Sequence, residues 1–283
     1  MEKNILILGA NGMLGHTIYK YLLQNSSNNV FGTTRKGDKD YFKFNIKSFK
    51  SDFKNILKKI NSIDYIINCI GQTKNNSNKN YIAVNTKFSQ NLSKLSDQFN
   101  FKLISVSTDA VFADNVGVVS EKDIPNSKDN YGISKLLGEP KSNNSISIRT
   151  SIIGIDPKKH KGFLEWSISA KEPIPGFINQ TWAGCTTLQF AKLCANIIKA
   201  GNFATLRKKS AVFHFSPLGP LTKYELIKKT LVNFKIKRKI IKTNGTPITR
   251  VLKSNFTYFS NIRYNNDIDQ ALPELISFEN KHE

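Results

Sequence analysis

Short unbroken apolar runs alternate, in the first half of the chain, with longer stretches whose apolar side chains recur every third or fourth residue. The first pattern predicts strands buried on both faces, the second amphipathic helices. NILIL (4–8) is the first run, and Leu14, Ile18, Tyr19, Leu22 and Leu23 mark the apolar face of the helix after it. The turn cluster NSSNN leads to a second strand, VFGTTR (30–35), and a short third, YFKFNI (41–46). SFKSDFKNILKKI (48–60) reads as a helix, DYIINCIG (64–71) as a fourth strand and residues 81–99 as one long helix. FKLISVST (101–108) is a fifth strand, a helix opens near Asn130, and SISIRTSIIG (145–154) is a sixth strand. This alternation predicts an α/β fold of Rossmann type, a doubly wound parallel sheet with helices on both faces.

Beyond residue 155 the alternation weakens. KEPIPGFINQ (171–180) reads as a loop, TTLQFAKLCANIIKAG as a helix capped by Gly201, AVFHFS as a strand and TKYELIKKTLVNF as a capped helix. The expected division is a sheet domain over 1–155, rejoined by about 183–215, and a smaller C-terminal part over 156–283.

The formal charge of +21 raises the question of nucleic acid. Lys and Asn are spread along the whole chain, as in KNNSNKN (74–80), and the densest basic stretch, KIKRK (235–239), has no aromatic interleaving. The reading is a solvated basic surface that steers small anions, with no nucleic-acid partner. No run of eighteen apolar residues predicts a membrane span. The N-terminal apolar run is a strand rather than a signal peptide. Cys69, Cys185 and Cys194 fit neither a zinc pattern nor a disulfide framework, so reduced thiols and a cytoplasmic location are expected. His16, His160 and His214 lack ligand spacing, and no metal is expected.

The chemistry begins where the first strand ends. Gly9, Gly12 and Gly15 stand in GANGMLG, with Asn11, Met13 and Leu14 between them. A glycine loop between a strand and a helix lets backbone N–H groups and the helix N-terminus approach a pyrophosphate. The first 155 residues are therefore expected to bind a dinucleotide. The second strand continues as FGTTRKGD. Arg35 stands where an acidic residue would select the ribose 2′-hydroxyl, which favours NADPH, with NADH as the second candidate. Further on, Tyr131 and Lys135 are four apart at the start of a helix and share one face. A tyrosine serves as a general acid when a nearby ammonium stabilises its anion. Thr108, at the end of the fifth strand, offers a hydroxyl to the same substrate oxygen.

With GANGMLG, IINCIG, VNT (84–86), STDAVF (107–112), YGISKLLGE (131–139) and IRTSIIG (148–154), the chain resembles the extended short-chain dehydrogenases/reductases. Through GFINQTWAGCTTLQFA and FHFSPLGPLTKYEL it is similar, within them, to the dTDP-4-dehydrorhamnose reductase group. The resemblance implies a catalytic triad of Thr108, Tyr131 and Lys135, with Lys135 also on the nicotinamide ribose. It implies cofactor contacts at Asn45 and Ile46 near the adenine and at Cys69, Ile70 and Gly71. Asn85 would tie a helix to the active site, and residues 150–152 would border the nicotinamide. The loop 176–182, with Asn179 and Trp182, would face a nucleotide-sugar together with Arg250 and Thr108. The group works in deoxysugar and polysaccharide biosynthesis, and a homodimer is compatible with it.

The chain departs from the group at QTWAGCT (180–186), which lacks an acidic residue and a proline, and at Thr17, where some members place an acid that helps bind magnesium. Related 4,6-dehydratases carry a carboxylate where this chain has Ala110, and related epimerases end the strand in Ser-Ser rather than Ser107-Thr108-Asp109. The expected activity is NADPH-dependent reduction of a nucleotide-linked 4-keto-6-deoxy sugar. An epimerase of the same superfamily and a non-catalytic nucleotide-binding regulatory subunit are the alternatives.

Overall fold

A computed structural model describes residues 2–73, 80–158, 162–260 and 264–280; His160 and most of KNNSNKN lie outside the described residues. The first elements are β1 (Asn4–Leu8), α1 (Met13–Asn25), β2 (Asn29–Thr34), β3 (Tyr41–Lys43), α2 (Phe49–Ile60) and β4 (Tyr65–Asn68). A π-helix (Ile82–Phe88) runs into α3 (Ser89–Phe99), followed by β5 (Lys102–Thr108) and a 3-10 turn (Asp109–Val111). Then come β6 (Gly117–Val119), α4 (Asn130–Leu137), β7 (Ser145–Thr150), β8 (Ile152–Ile153), α5 (Phe163–Ser169), β9 (Ile174–Phe177) and β10 (Thr181–Thr186). The chain continues with α6 (Thr187–Lys199), α7 (Phe203–Lys209), β11 (Val212–His214), β12 (Leu218–Thr222) and α8 (Lys223–Asn233). β13 (Ile240–Thr243), β14 (Arg250–Leu252), α9 (Thr257–Ser260) and α10 (Ile268–Asn280) complete it.

Seven strands form one sheet in the order β11-β7-β5-β4-β1-β2-β3. The pairs β1–β2, β1–β4, β2–β3 and β4–β5 are parallel. The fully buried run Ile5–Leu8 explains why the first strand is apolar at every position after Asn4. Leu6, Leu8, Ile66 and Leu103 pack with Phe53, Ile56 and Ile60 of α2 and with Phe88 and Leu92. Leu23 is 50% exposed, so the buried stripe of α1 is Gly15, Thr17, Ile18 and Leu22 instead.

β2 and β3 are parallel although only residues 35–40 connect them. A crossover helix normally covers this side of such a pair. Here Gly37, at φ +71°, donates to Thr34 Oγ1 at 3.0 Å, and Asp38 Oδ1 accepts the Asp40 and Tyr41 N–H groups. A cavity of about 620 Å3 remains at this edge, lined among others by Tyr19, Lys36, Tyr41 and Lys59.

The chain divides into two compact units. The first comprises residues 1–107, 133–148 and 190–212; the second comprises 108–132, 149–189 and 213–283. In the second, β8, β10 and β12 form one sheet, and β9–β13 and β6–β14 are parallel pairs. α8 opens on a capping box between Thr222 and Glu225, and Ile227 and Leu231 pack on Ile174. The predicted loop 171–180 thus contains β9. Ile174 is fully buried opposite Ile240, and a two-stranded pair leaves a free edge that tolerates Pro175. QTWAGCT, likewise expected in a loop, is mostly β10. Among the described residues no helix is long and apolar enough to cross a membrane.

Candidate active site

In the first unit the glycine loop is fixed from below by β2. Thr33 accepts the Gly9 N–H on its Oγ1 at 3.1 Å and the Ala10 N–H on its carbonyl at 2.9 Å. Gly9 adopts φ +80°, and a Cβ on Gly15 would stand 2.2 Å from the Gly9 carbonyl oxygen. Both positions therefore require glycine. Gly12 caps α1 with no side-chain hydrogen bond, and the first turn carries no acidic residue. The N–H groups of Met13, Leu14 and Gly15 have no intrahelical acceptor, which fits an incoming phosphate. Asn11 is half-buried in the turn between them, and Arg35 is exposed just beyond β2.

Residues 69–71 run alongside this loop. Ile70 Cγ1 lies 3.2 Å from where a Gly9 Cβ would stand, and the Ile70 N–H is held by Asn68 Oδ1 at 3.1 Å. A Cβ on Gly71 would lie 3.9 Å from Lys135 Nζ, so the structure brings the glycine loop, Cys69–Gly71 and Lys135 together. Burial pushes the Cys69 thiol up to about 12, keeping it neutral. Asn45 is engaged locally: its N–H donates to Asp52 Oδ2 at 2.8 Å and its Oδ1 accepts the Lys47 N–H at 3.0 Å. Ile46 packs on the core.

Lys135 projects from α4, one turn after the half-buried Tyr131. Its ammonium donates to the Val106 carbonyl of β5 at 2.6 Å. Desolvation lowers it from an ordinary 10.5 to about 8, against the opposing pull of Glu139. Glu139 in turn accepts the Ser107 hydroxyl at 2.7 Å, a second tie between β5 and the end of α4. Asn85, in the π-helix, accepts the Gln72 N–H at 2.8 Å and donates to Gln72 O at 3.0 Å and Ser134 Oγ at 3.1 Å. A Cβ on Gly138 would stand 1.8 Å from the Asn85 carbonyl oxygen. The π-helix, Asn85 and α4 are thus in direct backbone contact; π-turns of this kind recur at functional sites.

In the second unit Thr108 ends β5 and caps the 3-10 turn, accepting the Ala110 N–H at 3.2 Å. Its hydroxyl donates to Asp109 Oδ1 at 3.1 Å. The start of α4 closes on this turn: a Cβ on Gly132 would stand 2.0 Å from the Ala110 carbonyl oxygen, and the Gly132 N–H donates to Asp129 Oδ1 at 2.9 Å. Arg250 Nε donates to Asp109 Oδ2 at 3.3 Å, which brings Arg250 into the neighbourhood of Thr108 through Asp109. Asn179 clamps Gly245, its amide accepting the Gly245 N–H at 2.9 Å and donating to Gly245 O at 2.6 Å. Trp182 is buried and donates to Ser151 Oγ at 3.0 Å. Both side chains thus already have partners within their own unit.

Gln72, Ser134, Gly132, Gly138 and Glu139 carry much of this geometry and were not singled out from the sequence. A signal existed for three of them: glycine disfavours a helix interior, so Gly132 and Gly138 mark close approaches, and Glu139 falls four residues after Lys135. Among the described residues no cluster of three or more His, Cys, Asp or Glu side chains could hold a metal ion.

A family model described as the RmlD substrate binding domain matches residues 3–254. No curated protein matches the chain. Among solved structures the chain is similar to dTDP-4-dehydrorhamnose reductase from Bacillus anthracis str. Ames in complex with NADP, at 20% identity over 98% of each chain with a TM-score of 0.79. It is similar to the same enzyme from Yersinia enterocolitica at 20% identity, covering 98% of this chain and 99% of that one, with a TM-score of 0.74. It is also similar to dTDP-glucose 4,6-dehydratase from Bacillus anthracis str. Ames in complex with NAD, at 16% identity, covering 99% and 97%, with a TM-score of 0.76. At these identities the structures establish the shared Rossmann-like fold.

Proposed function

The chain belongs to the family of the RmlD substrate binding domain, and from that premise we propose that it is an NADPH-dependent reductase of a nucleotide-linked 4-keto-6-deoxy sugar. The observation that carries the reading is Lys135: a desolvated ammonium held on Val106 O, one helical turn from Tyr131 and beside the glycine-loop strand ends. The first-turn N–H groups of α1 hold the cofactor pyrophosphate, Cys69–Gly71 line it, and Arg35 meets the ribose 2′-phosphate, with NADH as the alternative. Two solved structures of similar fold were obtained with NADP and with NAD, which supports a nicotinamide dinucleotide here.

When bound, the nicotinamide supplies the hydride that converts the C4 carbonyl to an alcohol. Tyr131 holds the proton that the developing C4 alkoxide takes, and Lys135 stabilises the tyrosinate left behind. Thr108 hydrogen-bonds the same oxygen. Orientation by these three groups supplies most of the acceleration. Ala110 supports reduction over 4,6-dehydration, since elimination needs a carboxylate base and this position offers a buried methyl group. The test is a panel of nucleotide-linked 4-keto-6-deoxyhexoses with NADPH and with NADH, followed by absorbance and product identification. One NADPH is expected to be consumed per sugar, with turnover lost in Tyr131→Phe. Conversion of a nucleotide-glucose to its 4-keto-6-deoxy form with no net cofactor change would contradict the reading.

A further inference from the structure

The proton that this reading asks Thr108 to offer a keto oxygen is already engaged. A threonine hydroxyl has one proton and two lone pairs. At Thr108, which is 7% exposed, one lone pair takes the Ala110 N–H and the proton goes to Asp109 Oδ1. The other Asp109 oxygen accepts Arg250 Nε at 3.3 Å. Arg250 Nη1 is shared between Phe112 O and the half-exposed Asp114 carboxylate. Backbone pairing fixes the guanidinium there: Arg250 opens β14 opposite Gly117 of β6, and the Thr249 N–H donates to Asp114 O at 2.7 Å. The Arg250 and Asp109 side chains are 10% and 18% exposed, so the pair is weakly screened by water.

We propose that Asp109 and Arg250 are a positioning pair that sets where the single Thr108 hydroxyl proton points and how readily it is released to a substrate carbonyl. The proposal rests on the reductase reading above. A bare carboxylate holds a hydroxyl proton through a charge-assisted bond, stronger than one to a neutral carbonyl. Arg250, on the opposite oxygen, draws on the same negative charge and weakens that hold. The hydroxyl then turns from Asp109 to the keto oxygen when the sugar is bound and returns after the alcohol leaves. Asp109 and Arg250 act through Thr108 and need touch neither sugar nor cofactor.

The test separates this role from direct substrate binding by Arg250. Arg250→Met leaves Asp109 unneutralised and is expected to lower kcat about tenfold, the scale of one strengthened hydrogen bond, with little change in KM. Adding Asp109→Asn to that variant is expected to restore most of kcat, because a neutral amide oxygen holds the proton less tightly. Arg250→Lys, which keeps the charge, retains most of kcat and guards against a folding defect. In a Thr108→Val background the Arg250→Met effect on kcat disappears. A second arm needs no turnover: urea-unfolding midpoints of Thr108→Val, Asp109→Ala and the double variant are non-additive if the hydroxyl bonds Asp109. Additive midpoints overturn the hydrogen bond. A rise in KM alone for Arg250→Met, with no rescue by Asp109→Asn, overturns the positioning role and makes Arg250 a substrate contact. Non-additive midpoints in a wild-type protein that reduces no keto-sugar overturn the reductase reading, and the catalytic role of the pair with it, while leaving the Thr108–Asp109 bond itself supported.

Discussion

Lys135, which the proposed reaction uses to stabilise the tyrosinate, is a destabilising residue for the fold. Desolvation sets its ammonium at about 8 in the folded chain and the unfolded chain returns it to 10.5. Between those values the unfolded state binds more protons, so stability rises with pH across that window and the full penalty is present below about 8. Lys135→Met is expected to raise the urea midpoint at pH 7 while abolishing turnover, and its advantage over the wild type narrows as the pH climbs from about 8 to 10.5. A midpoint difference independent of pH would mean that the ammonium is not strained. Because Tyr131 needs the charged form beside it, wild-type kcat is expected to fall as the pH passes about 8. At the other end of the cofactor, Arg35→Asp places a carboxylate beyond β2. Affinity for NADPH is expected to fall at least tenfold, about 1.4 kcal/mol, while that for NADH holds or rises; an equal change in both would remove Arg35 from phosphate recognition. The strand-to-helix placement of the glycine loop and the position of Tyr131 and Lys135 one turn apart on α4 were legible in the sequence because both are matters of local spacing. The bonds of Glu139 to Ser107, of Asp109 to Arg250 and of Gln72 to Asn85 were not, because each joins residues distant in sequence.

α4 is seated at both ends by glycines. Gly132 lies on the Ala110 carbonyl within the second unit, and Gly138 lies on the Asn85 carbonyl within the first. Neither can carry a Cβ without moving backbone. Gly138→Ala is expected to destabilise by at least about 1–3 kcal/mol, as overpacking does elsewhere. It is also expected to lower kcat by displacing Lys135, three residues earlier. Circular dichroism melts and kcat together check this; an unchanged melt would mean that the contact relaxes freely. The π-helix that carries Asn85 was read as the first part of one long helix over 81–99, because π and α turns present nearly the same apolar spacing and differ only in a backbone hydrogen-bond register. β9 escaped notice for another reason: two prolines signal a loop, and only the distant pairing with β13 makes Ile174–Phe177 a strand. The parallel sheet itself was legible because its central strands β1 and β4 are short, buried and mainly apolar runs.

Each compact unit is assembled from three separate segments, and the chain leaves the first unit within β5, within β7 and within β11. The sequence reading has the sheet domain return over about 183–215; the exchange of 108–132 and 133–148 between the units depends on contacts that composition does not record. The net charge of +21 belongs to the whole molecule. It is expected to steer the polyanionic cofactor and the nucleotide-sugar, so kcat/KM should fall several-fold between about 0.01 and 0.15 M salt, as the Debye length shrinks from about 30 to 8 Å, with kcat nearly constant. A salt-independent kcat/KM would place the charge outside the approach path. The central claim is that hydride reaches C4 of a keto-sugar in one direction with net consumption of cofactor. The most direct measurement gives the protein NADPH carrying deuterium at both nicotinamide C4 positions and a nucleotide-linked 4-keto-6-deoxyhexose, then locates the label in the product. The account predicts one deuterium at C4 of the sugar and one NADP+ per alcohol formed. A product with no label at C4, or conversion of a nucleotide-glucose to its 4-keto-6-deoxy form with no net change in cofactor, would contradict it.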